Sequence, residues 1–335
     1  MAGYIIKRIL MLVPVLIGVS LITFLLLHLT PGDPAQMLLG AYATAERVAE
    51  LREKLGLNKP LYIQYFDYVK GILKGDLGTS YTTNRPVMEM IVSRFPATFE
   101  LTIFSMFFAI IIGVIFGVAA SLKRNSFLDL SLTTLSVLGM ATPAFWLGLL
   151  LLFLFGVILN IMPIGGRIDL EVGLKTYTNL YLLDSLISSR NFMAFKNVLQ
   201  HLILPAFVLA IYPIAEISQL VRTNMIEILN QDYIRTARAK GLPEKQVIFK
   251  HAFKNVLIPV VTITGSRLGA QFAGAILVET IFSWPGIGRM AYDAIYARDY
   301  PLIQGVVLFI AIIFVIINLV VDIMYVYIDP RIKYT

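Results

Sequence analysis

Long apolar stretches alternate with shorter polar ones along this chain of 335 residues. A bilayer core of about 30 Å is crossed by roughly 20 helical residues, because each residue advances a helix by about 1.5 Å. The stretches long enough to cross are Ile9–Leu29, Leu101–Leu122, Leu130–Leu159, Leu199–Val221, Val256–Val278 and Leu302–Val326. The pattern predicts an all-α polytopic membrane protein with six transmembrane helices. The first stretch exceeds the roughly 7–15 apolar residues of a signal peptide, so we expect it to be retained.

The composition agrees with a membrane location. Hydrophobic residues make up 58% of the chain and charged residues 15%, whereas about a quarter of the residues of a soluble domain are charged. The net charge of +7 falls mainly in short segments on one side of the predicted helices, as membrane orientation requires. Nucleic acid is therefore not an expected partner. The absence of cysteine excludes disulfides, thiolate metal sites and a cysteine nucleophile.

The Lys/Arg bias predicts the orientation. Basic residues precede the first stretch, follow the second, lie between the fourth and fifth, and recur in the tail. Both termini are therefore expected in the cytosol, in a multi-pass protein of the cell membrane. The expected divisions are residues 1–30 with the first helix, an extracytoplasmic helical insert at 31–98, a five-helix core at 99–327 and a cytosolic tail at 328–335.

Apolar spacing within the insert predicts short helices at Ala45–Leu55 and Leu61–Leu73. Arg94–Pro96 reads as a turn that leads into the second transmembrane helix. The outer segment 160–196 carries no pattern that assigns it a role.

A polar, basic segment at about 223–254 separates the fourth and fifth stretches, and it contains two short helical patterns. Asp232 is expected to cap the first helix, and Gly241 to end it in a left-handed conformation. Pro243 suits the first position of the next helix. The apolar side of the first helix is supplied by Tyr233, Ile234 and Ala237.

Two interpretations of this segment are open on its physical pattern. The small side chains of Ala237 and Ala239 would keep a contact face slim enough to enter a cleft on a cytosolic partner. Alternatively, the helix lies on the membrane surface with its basic residues among lipid headgroups.

The run Tyr233–Leu242, Tyr-Ile-Arg-Thr-Ala-Arg-Ala-Lys-Gly-Leu, resembles the coupling-loop signature of ABC importer permeases in the dipeptide/oligopeptide/nickel family. Two positions depart from the broad consensus of permease coupling loops. Arg235 stands where that consensus has an acid, and His251–Lys254 replaces the Ile-x-Leu-Pro sequence with which it ends. Further segments that resemble this family are Thr30–Pro34, Leu55–Leu57, Gly75–Gly78, Phe95–Thr98, Glu279–Gly288, Arg298–Pro301 and Asp329–Arg331. Together they span nearly the whole chain.

The resemblance implies a type I ABC importer permease fold, in which this subunit forms half of a translocation path. It implies a homologous second permease as heterodimer partner, two cytosolic ATPase subunits and an external solute-binding protein. The residues that it assigns to coupling with the ATPase are Tyr233, Arg235, Thr236, Ala237, Arg238, Ala239, Lys240 and Gly241. Di- or oligopeptides are the expected solute, with nickel, glutathione or oligosaccharide as alternatives within the same architecture.

No phosphate-binding loop occurs in the sequence, and His28, His201 and His251 lie far apart. We therefore expect no catalytic activity, metal or cofactor in this chain, and ATP and Mg²⁺ to be used by partner subunits. Rival classes are a secondary transporter, for which inverted repeats are missing, and a membrane-embedded enzyme, for which converging catalytic groups are missing.

Polar side chains inside the predicted helices are candidates for the translocation path, because charges in hydrocarbon usually face a cavity or a partner. The candidates are Glu216, Gln219, Arg267 and Gln271. The alternative is that they pair with one another and hold helices together. Small residues at Gly113, Gly117, Gly265, Gly269 and Ala273 predict close helix packing.

The segment after the fifth helix contains Trp284, Pro285 and Gly286. It is a candidate external gate. The alternative is a loop anchored at the bilayer interface by its tryptophan.

Overall fold

The structure is a computed structural model that describes residues 2–29, 33–40, 43–187 and 192–328. Thr30–Gly32 and the tail 329–335, with its Asp329–Arg331 motif, lie outside the described residues. The described chain is built of helices. In chain order they are α1 (Ala2–Leu29), α2 (Pro34–Leu39), α3 (Ala45–Lys54), α4 (Leu61–Leu73), α5 (Val87–Leu122), α6 (Phe127–Ala141), α7 (Ala144–Leu151), α8 (Tyr181–Ile187), α9 (Phe192–Leu229), α10 (Asp232–Ala239), α11 (Glu244–Gln246), α12 (Phe253–Ile281), α13 (Ile287–Tyr296) and α14 (Tyr300–Ile328). Two π-helical segments, Leu152–Ile158 and Val247–Ala252, follow α7 and α11.

The chain divides into two compact units. The first unit comprises Met1–Pro96 and Gly286–Val315, and the second comprises Ala97–Pro285 and Ile316–Thr335.

In the first unit, α3 and α4 confirm the helices that apolar spacing predicts before the second transmembrane stretch. The Thr44 side chain caps α3 by accepting from the Arg47 N–H at 3.4 Å, and Pro60 immediately precedes α4. The predicted turn at Arg94–Pro96 is wrong, because these residues lie inside α5. A proline in a membrane helix is tolerated where neighbouring groups satisfy the freed carbonyl, so Pro96 does not end the element.

Apolar side chains from α5, α13 and α14 form the core of the first unit. Val87 and Ile91 of α5 are fully buried, and they share this core with Met290 of α13 and with Leu302 and Val306 of α14. This core fixes the start of α14 beside the start of α5.

In the second unit, glycines allow α5 to lie directly against α9. A Cβ at Gly113 would lie 2.9 Å from the Ile217 side chain, and one at Gly117 would lie 2.6 Å from the Ser218 carbonyl oxygen. The predicted close packing therefore holds for these two glycines. It also holds for Gly265, where a Cβ would collide with Val321, whereas Ala273 is exposed.

The predicted single helix Leu130–Leu159 is wrong. Phe127–Ala141 and Ala144–Ile158 meet at an angle of 104°. Thr142 before Pro143 has ψ of 123° because the proline ring disfavours helical backbone at the preceding residue. Both flanking segments are apolar, which is why the hydrophobic pattern does not reveal the break.

Among the described residues, four helices are long and apolar enough to cross a bilayer, or five if this bent pair counts as one. α1 contributes a shorter apolar stretch, Leu10–Leu25.

Candidate functional site

The polar segment between α9 and α12 folds as a short helix, a glycine turn and a second helical start. α10 begins at Asp232 with Gln231 as its N-cap and no side-chain cap, so the predicted capping role of Asp232 is wrong. The position of Gly241 is confirmed, because its φ is +75°. Its N–H donates to the Arg238 carbonyl at 2.9 Å, and the Leu242 N–H donates to the Ala237 carbonyl at 3.4 Å. These paired bonds are those of a Schellman motif, which ends α10 sharply.

The second helix begins one residue later than predicted. Pro243 is the N-cap of α11 and not its first helical residue, and its carbonyl accepts from the Gln246 N–H at 2.8 Å. The chain then continues through the π-helical segment Val247–Ala252 into α12 without leaving helical conformation.

One side of α10 is fastened to the second unit. Ile234 and Ala237 are buried in the same apolar cluster as Met225 of α9 and Val256 of α12. The prediction that Ala237 lies on an outward contact face is therefore wrong, because Ala237 is 7% exposed. Its small side chain instead lets α10 approach the ends of α9 and α12.

Tyr233 does not complete that apolar side. Its side chain is 44% exposed, and its hydroxyl accepts a hydrogen bond from Asn255 Nδ2 at 2.9 Å. This bond adds a polar link between α10 and α12.

The other side of α10 is exposed and basic. Besides Tyr233, its exposed residues are Asp232, Arg235, Thr236, Arg238 and Ala239, and they are followed by the exposed C-cap Lys240. Arg238 and Glu244 form an ion pair across the Gly241 turn, with Nη2 2.7 Å and Nε 3.2 Å from the two carboxylate oxygens. The hydrogen bond from Arg238 lowers the pKa of Glu244, and the same bond raises the pKa of Arg238. A preformed ion pair thus links α10 to the helix that follows it.

The candidates for a translocation path mostly pair within the second unit. Arg267 of α12 forms a two-pronged ion pair with Glu216 of α9, with Nε 2.5 Å from Oε2, and its guanidinium lies 5.1 Å from the centre of the Tyr212 ring. Gln271 is buried and donates to the Leu209 carbonyl at 3.2 Å. These contacts favour the pairing alternative for the three residues. Gln219 is partly buried.

The candidate gate segment spans the point in the sequence where the second unit ends at Pro285 and the first resumes at Gly286. Trp284 is fully buried within the second unit, where its Nε1–H donates to the Ala97 carbonyl at 2.9 Å. A tryptophan anchor at the bilayer interface is therefore wrong for this residue. Pro285 is partly buried, and Gly286 is the N-cap of α13 in the first unit.

Sequence reasoning missed two buried carboxylates that organise loops. In the second unit, Arg167 Nη2 lies 2.6 Å from Glu100 Oε2, and its guanidinium lies 3.6 Å from the centre of the Tyr181 ring. The other Glu100 oxygen accepts from the Leu182 N–H at 2.7 Å. The segment 160–187, to which the sequence assigned no role, is thereby fastened to α5.

In the first unit, the fully buried Asp299 holds the Thr79–Pro86 loop. It accepts from the Ser80 hydroxyl at 2.5 Å and from the Tyr81 N–H at 3.1 Å. Burial, and secondarily the charge of Asp299, raise the pKa of Tyr81 to about 12. Asp299 belongs to the Arg298–Pro301 motif, so the resemblance was the only sequence signal for this site.

Within the described ranges, no group of three or more histidine or acidic side chains could hold a metal ion. The site thus consists of α10, which is anchored to the bundle by its buried side and exposed on the other, and of a bundle whose charged residues Glu216 and Arg267 are paired.

Comparison with known proteins matches residues 77–334 to the binding-protein-dependent transport system inner membrane component family, and residues 1–102 to the N-terminal domain of such membrane components. The dipeptide transport system permease protein of Alkalihalophilus pseudofirmus is 48% identical over the full length of both chains. The di/tripeptide permease of Pseudomonas aeruginosa is 45% identical over 100% of this chain and 99% of its own. A glutathione transport system permease of Salmonella choleraesuis is 40% identical over all of both.

The fold is shared with the MetNI methionine ABC transporter in an inward-facing conformation. The TM-score is 0.55 at 16% identity, covering 72% of this chain and 97% of the other. The relatives named above are permease subunits, which are the non-catalytic membrane components of their transporters. The sequence-predicted resemblance is confirmed: this chain belongs to the family of inner-membrane permease subunits of binding-protein-dependent ABC importers.

Proposed function

We propose that this chain forms half of the translocation path of an ATP-driven importer of di- or oligopeptides, and that the exposed face of α10 is the docking surface for an ATPase subunit. The observation that carries this proposal is the two-sidedness of α10. Ile234 and Ala237 fasten it to the bundle, while Arg235 and Lys240 remain exposed. A helix that only rested on lipid headgroups would have no need of a buried anchor in the protein.

The proposed topology has six spans, with α1 as the first and the bent pair α6–α7 as the third. Both termini and the loop 223–254 lie in the cytosol, and the insert 31–98 lies outside. This orientation is supported by the Lys/Arg bias of the short segments. The first span is supported by the apolar stretch Leu10–Leu25 within the 28-residue α1.

The proposed partners are a homologous second permease in a heterodimer, two cytosolic ATPase subunits that use ATP and Mg²⁺, and an external solute-binding protein. Peptides are the proposed solute because relatives that match over their full length are named as dipeptide and di/tripeptide permeases. In the proposed cycle, the binding protein delivers the peptide to the interface between the permeases, and closure of the ATPase dimer pushes on α10.

That push would reach the bundle through contacts already described. The buried cluster around Ile234 joins α10 to α9 and α12, and the Glu216–Arg267 pair joins the same two helices farther along. The two helices would then move together as a rigid body between outward- and inward-facing states. We assign Gln219 to the neighbourhood of the path and Trp284–Gly286 to its external gate, while Gln271 holds α12 against α9 beside the path through its bond to the Leu209 carbonyl.

The docking role can be tested by adding a charge to the exposed face of α10. Ala239→Glu introduces a carboxylate that leaves the buried anchor untouched, and Gln246→Glu adds the same charge at an exposed position beyond the turn. In the reconstituted importer, Ala239→Glu is expected to lower peptide uptake at least about tenfold, which corresponds to about 1.4 kcal/mol of lost coupling. Gln246→Glu should transport normally. Wild-type uptake by the Ala239→Glu importer would refute the docking role.

The path role of the paired charges needs a separate test. Replacing Glu216 with Gln or Arg267 with Met removes the ion pair while keeping side-chain size. If uptake stays at the wild-type rate with normal membrane levels, these residues serve neither the path nor the rigid coupling of α9 with α12.

A further inference from the structure

Helix α4 in the first unit has three distinct sides. One side packs on α1: the Tyr65 hydroxyl lies 2.9 Å from Ser20 Oγ, and the Tyr65 ring meets the Phe24 ring edge-on at 5.4 Å between centres. Tyr68 extends this contact, with its hydroxyl 3.4 Å from Thr23 Oγ1. The α4 side chains that face α1 are thus aromatic and hydrogen-bonded.

A second side of α4 is apolar and is not covered by the described chain. Its most exposed residues are Tyr62 at 65%, Phe66 at 68% and Leu73 at 83%. Together with Val69 they fall within about 60° on the helix, because successive residues turn by about 100°. We call these four residues the α4 stripe. The stripe adjoins the side that packs on α1, so the two form one continuous apolar surface.

The third side of α4 is polar. Lys59 and Asp67 form an exposed ion pair at 2.8 Å, and Lys70 and Lys74 are exposed. A helix with a narrow apolar stripe beside a charged arc is the pattern of an interfacial membrane helix. Lysine side chains suit this position, since their stems cover apolar surface while the ammonium groups stay in water.

The contacts with α1 set the depth of α4. Ser20 and Thr23 precede the last residue of α1, Leu29, by roughly 14 and 9 Å along the helix. One half of the hydrocarbon core is about 15 Å thick. If α1 crosses the bilayer with Leu29 at the outer surface of that core, these contacts therefore lie within its outer half. α4 then lies beside the outer end of α1 and cannot stand clear of the membrane.

The surface of α1 next to this contact is itself apolar and exposed, with Ile17 at 53% and Leu21 at 41%. A lipid-facing surface on α1 would therefore continue onto the α4 stripe. We propose that α4 is an interfacial helix whose stripe enters the acyl region of the outer leaflet, so that part of the segment 31–98 is embedded in lipid. This inference rests on the proposed topology, in which α1 is the first transmembrane helix.

The absence of cysteine from the chain allows a direct test with single spin labels. Phe66→Cys and Leu73→Cys place a label on the stripe, Asp67→Cys places one on the polar side of α4, and Ile22→Cys places one on α1. The labelled permease is assembled with its partner subunits, whose accessible cysteines are replaced, and reconstituted in phosphatidylcholine vesicles. Collision of each label is then measured with oxygen, which concentrates in lipid, and with a water-soluble nickel chelate.

The labels at 66 and 73 are expected to collide several-fold more often with oxygen than with the chelate, as at position 22, and the label at 67 should show the reverse. Chelate accessibility at 66 and 73 equal to that at 67, with a lipid-exposed label at 22, would overturn this inference while leaving the topology intact. Chelate access at position 22 as well would refute the topology. Labels at 66 and 73 that neither collider reaches would show that protein covers the stripe, and would also overturn the inference.

Discussion

Neutralising Glu100 is expected to destabilise the second unit strongly. The side chains of Glu100 and Arg167 are each 5% exposed, and the pair joins α5 to the segment 160–187. Glu100→Gln keeps the size of the side chain and can still accept from the Leu182 N–H. It leaves the Arg167 guanidinium buried without a counter-charge, retaining the Asn179 carbonyl, 2.9 Å away, as an acceptor.

The expected magnitude follows from the burial of the pair. Removing one partner of a buried ion pair destabilises a protein by about 3–5 kcal/mol, because an uncompensated charge remains in a low-dielectric site. The stacking of Arg167 on Tyr181 persists in the variant, so we expect the lower end, about 3 kcal/mol. Arg167→Met should be similarly damaging. The double variant with Glu100→Gln and Arg167→Met buries no unpaired charge. Its loss of unfolding free energy should be about 1–3 kcal/mol smaller than the sum of the losses in the two single variants.

The assay is the free energy of unfolding of the purified subunit in mixed micelles with increasing denaturing detergent. Protease cleavage within 160–187 reports whether the segment has been released from α5. Glu50→Gln is the control, because its ion pair with Lys54 is exposed at 66% and 70% and should contribute nothing measurable. Strict additivity of the two single variants, or a Glu100→Gln variant as stable as the wild type, would refute the reasoning.

Three further predictions concern other contacts. Glu244→Gln removes the ion pair with Arg238 and should weaken coupling of ATP hydrolysis to uptake without preventing assembly. Because the pKa of Glu244 is lowered in the folded chain, the stabilisation that the pair provides is complete above the ordinary glutamate pKa. It is lost only as the pH falls through the lowered value, so coupling that declined between pH 8 and pH 6 would need another cause. Gly265→Ala should destabilise the subunit by about 1–3 kcal/mol through overpacking, measured by detergent unfolding, whereas Gly274→Ala, with nothing within 4 Å of the added Cβ, should have no such effect. Asp299→Ala removes the acceptor that holds the Thr79–Pro86 loop, and faster proteolysis within that loop is the expected result; an unchanged cleavage rate would contradict it.

The sequence predicted correctly those elements that depend only on residues close together in the chain. Apolar spacing located α3 and α4, and the need for a residue with positive φ identified Gly241 as the end of α10. The break before Pro143 was missed because a hydrophobic run reads the same whether it is straight or bent. Pro143 was the available signal for the break. The prediction of one helix relied on the length of the apolar run, but in the structure the proline determines where the helix ends.

Contacts between distant positions carried no signal in the spacing of residues. Glu100 and Arg167 are separated by 67 positions, and the residues around each of them give no indication that the two side chains pair. The general preference of tryptophan for the bilayer interface supplied the anchoring alternative for Trp284, but the Ala97 carbonyl offers its indole N–H a buried partner. The small side chain of Ala237 does permit a close approach, as the sequence suggested. The surface that approaches it, however, is formed by α9 and α12 of the same chain and not by a cytosolic partner.

The central claim is that the exposed face of α10 transmits force from a separate ATPase. The most direct measurement places a single cysteine at Ala239 in the cysteine-free chain and treats the assembled importer with a short thiol-to-amine cross-linker. A cross-link from position 239 to the ATPase subunit, formed in inside-out vesicles and abolished when the ATPase is omitted, is the predicted result. A cysteine at 239 that reacts with an impermeant thiol reagent only from the outside of intact cells, and never joins the ATPase, would contradict the account.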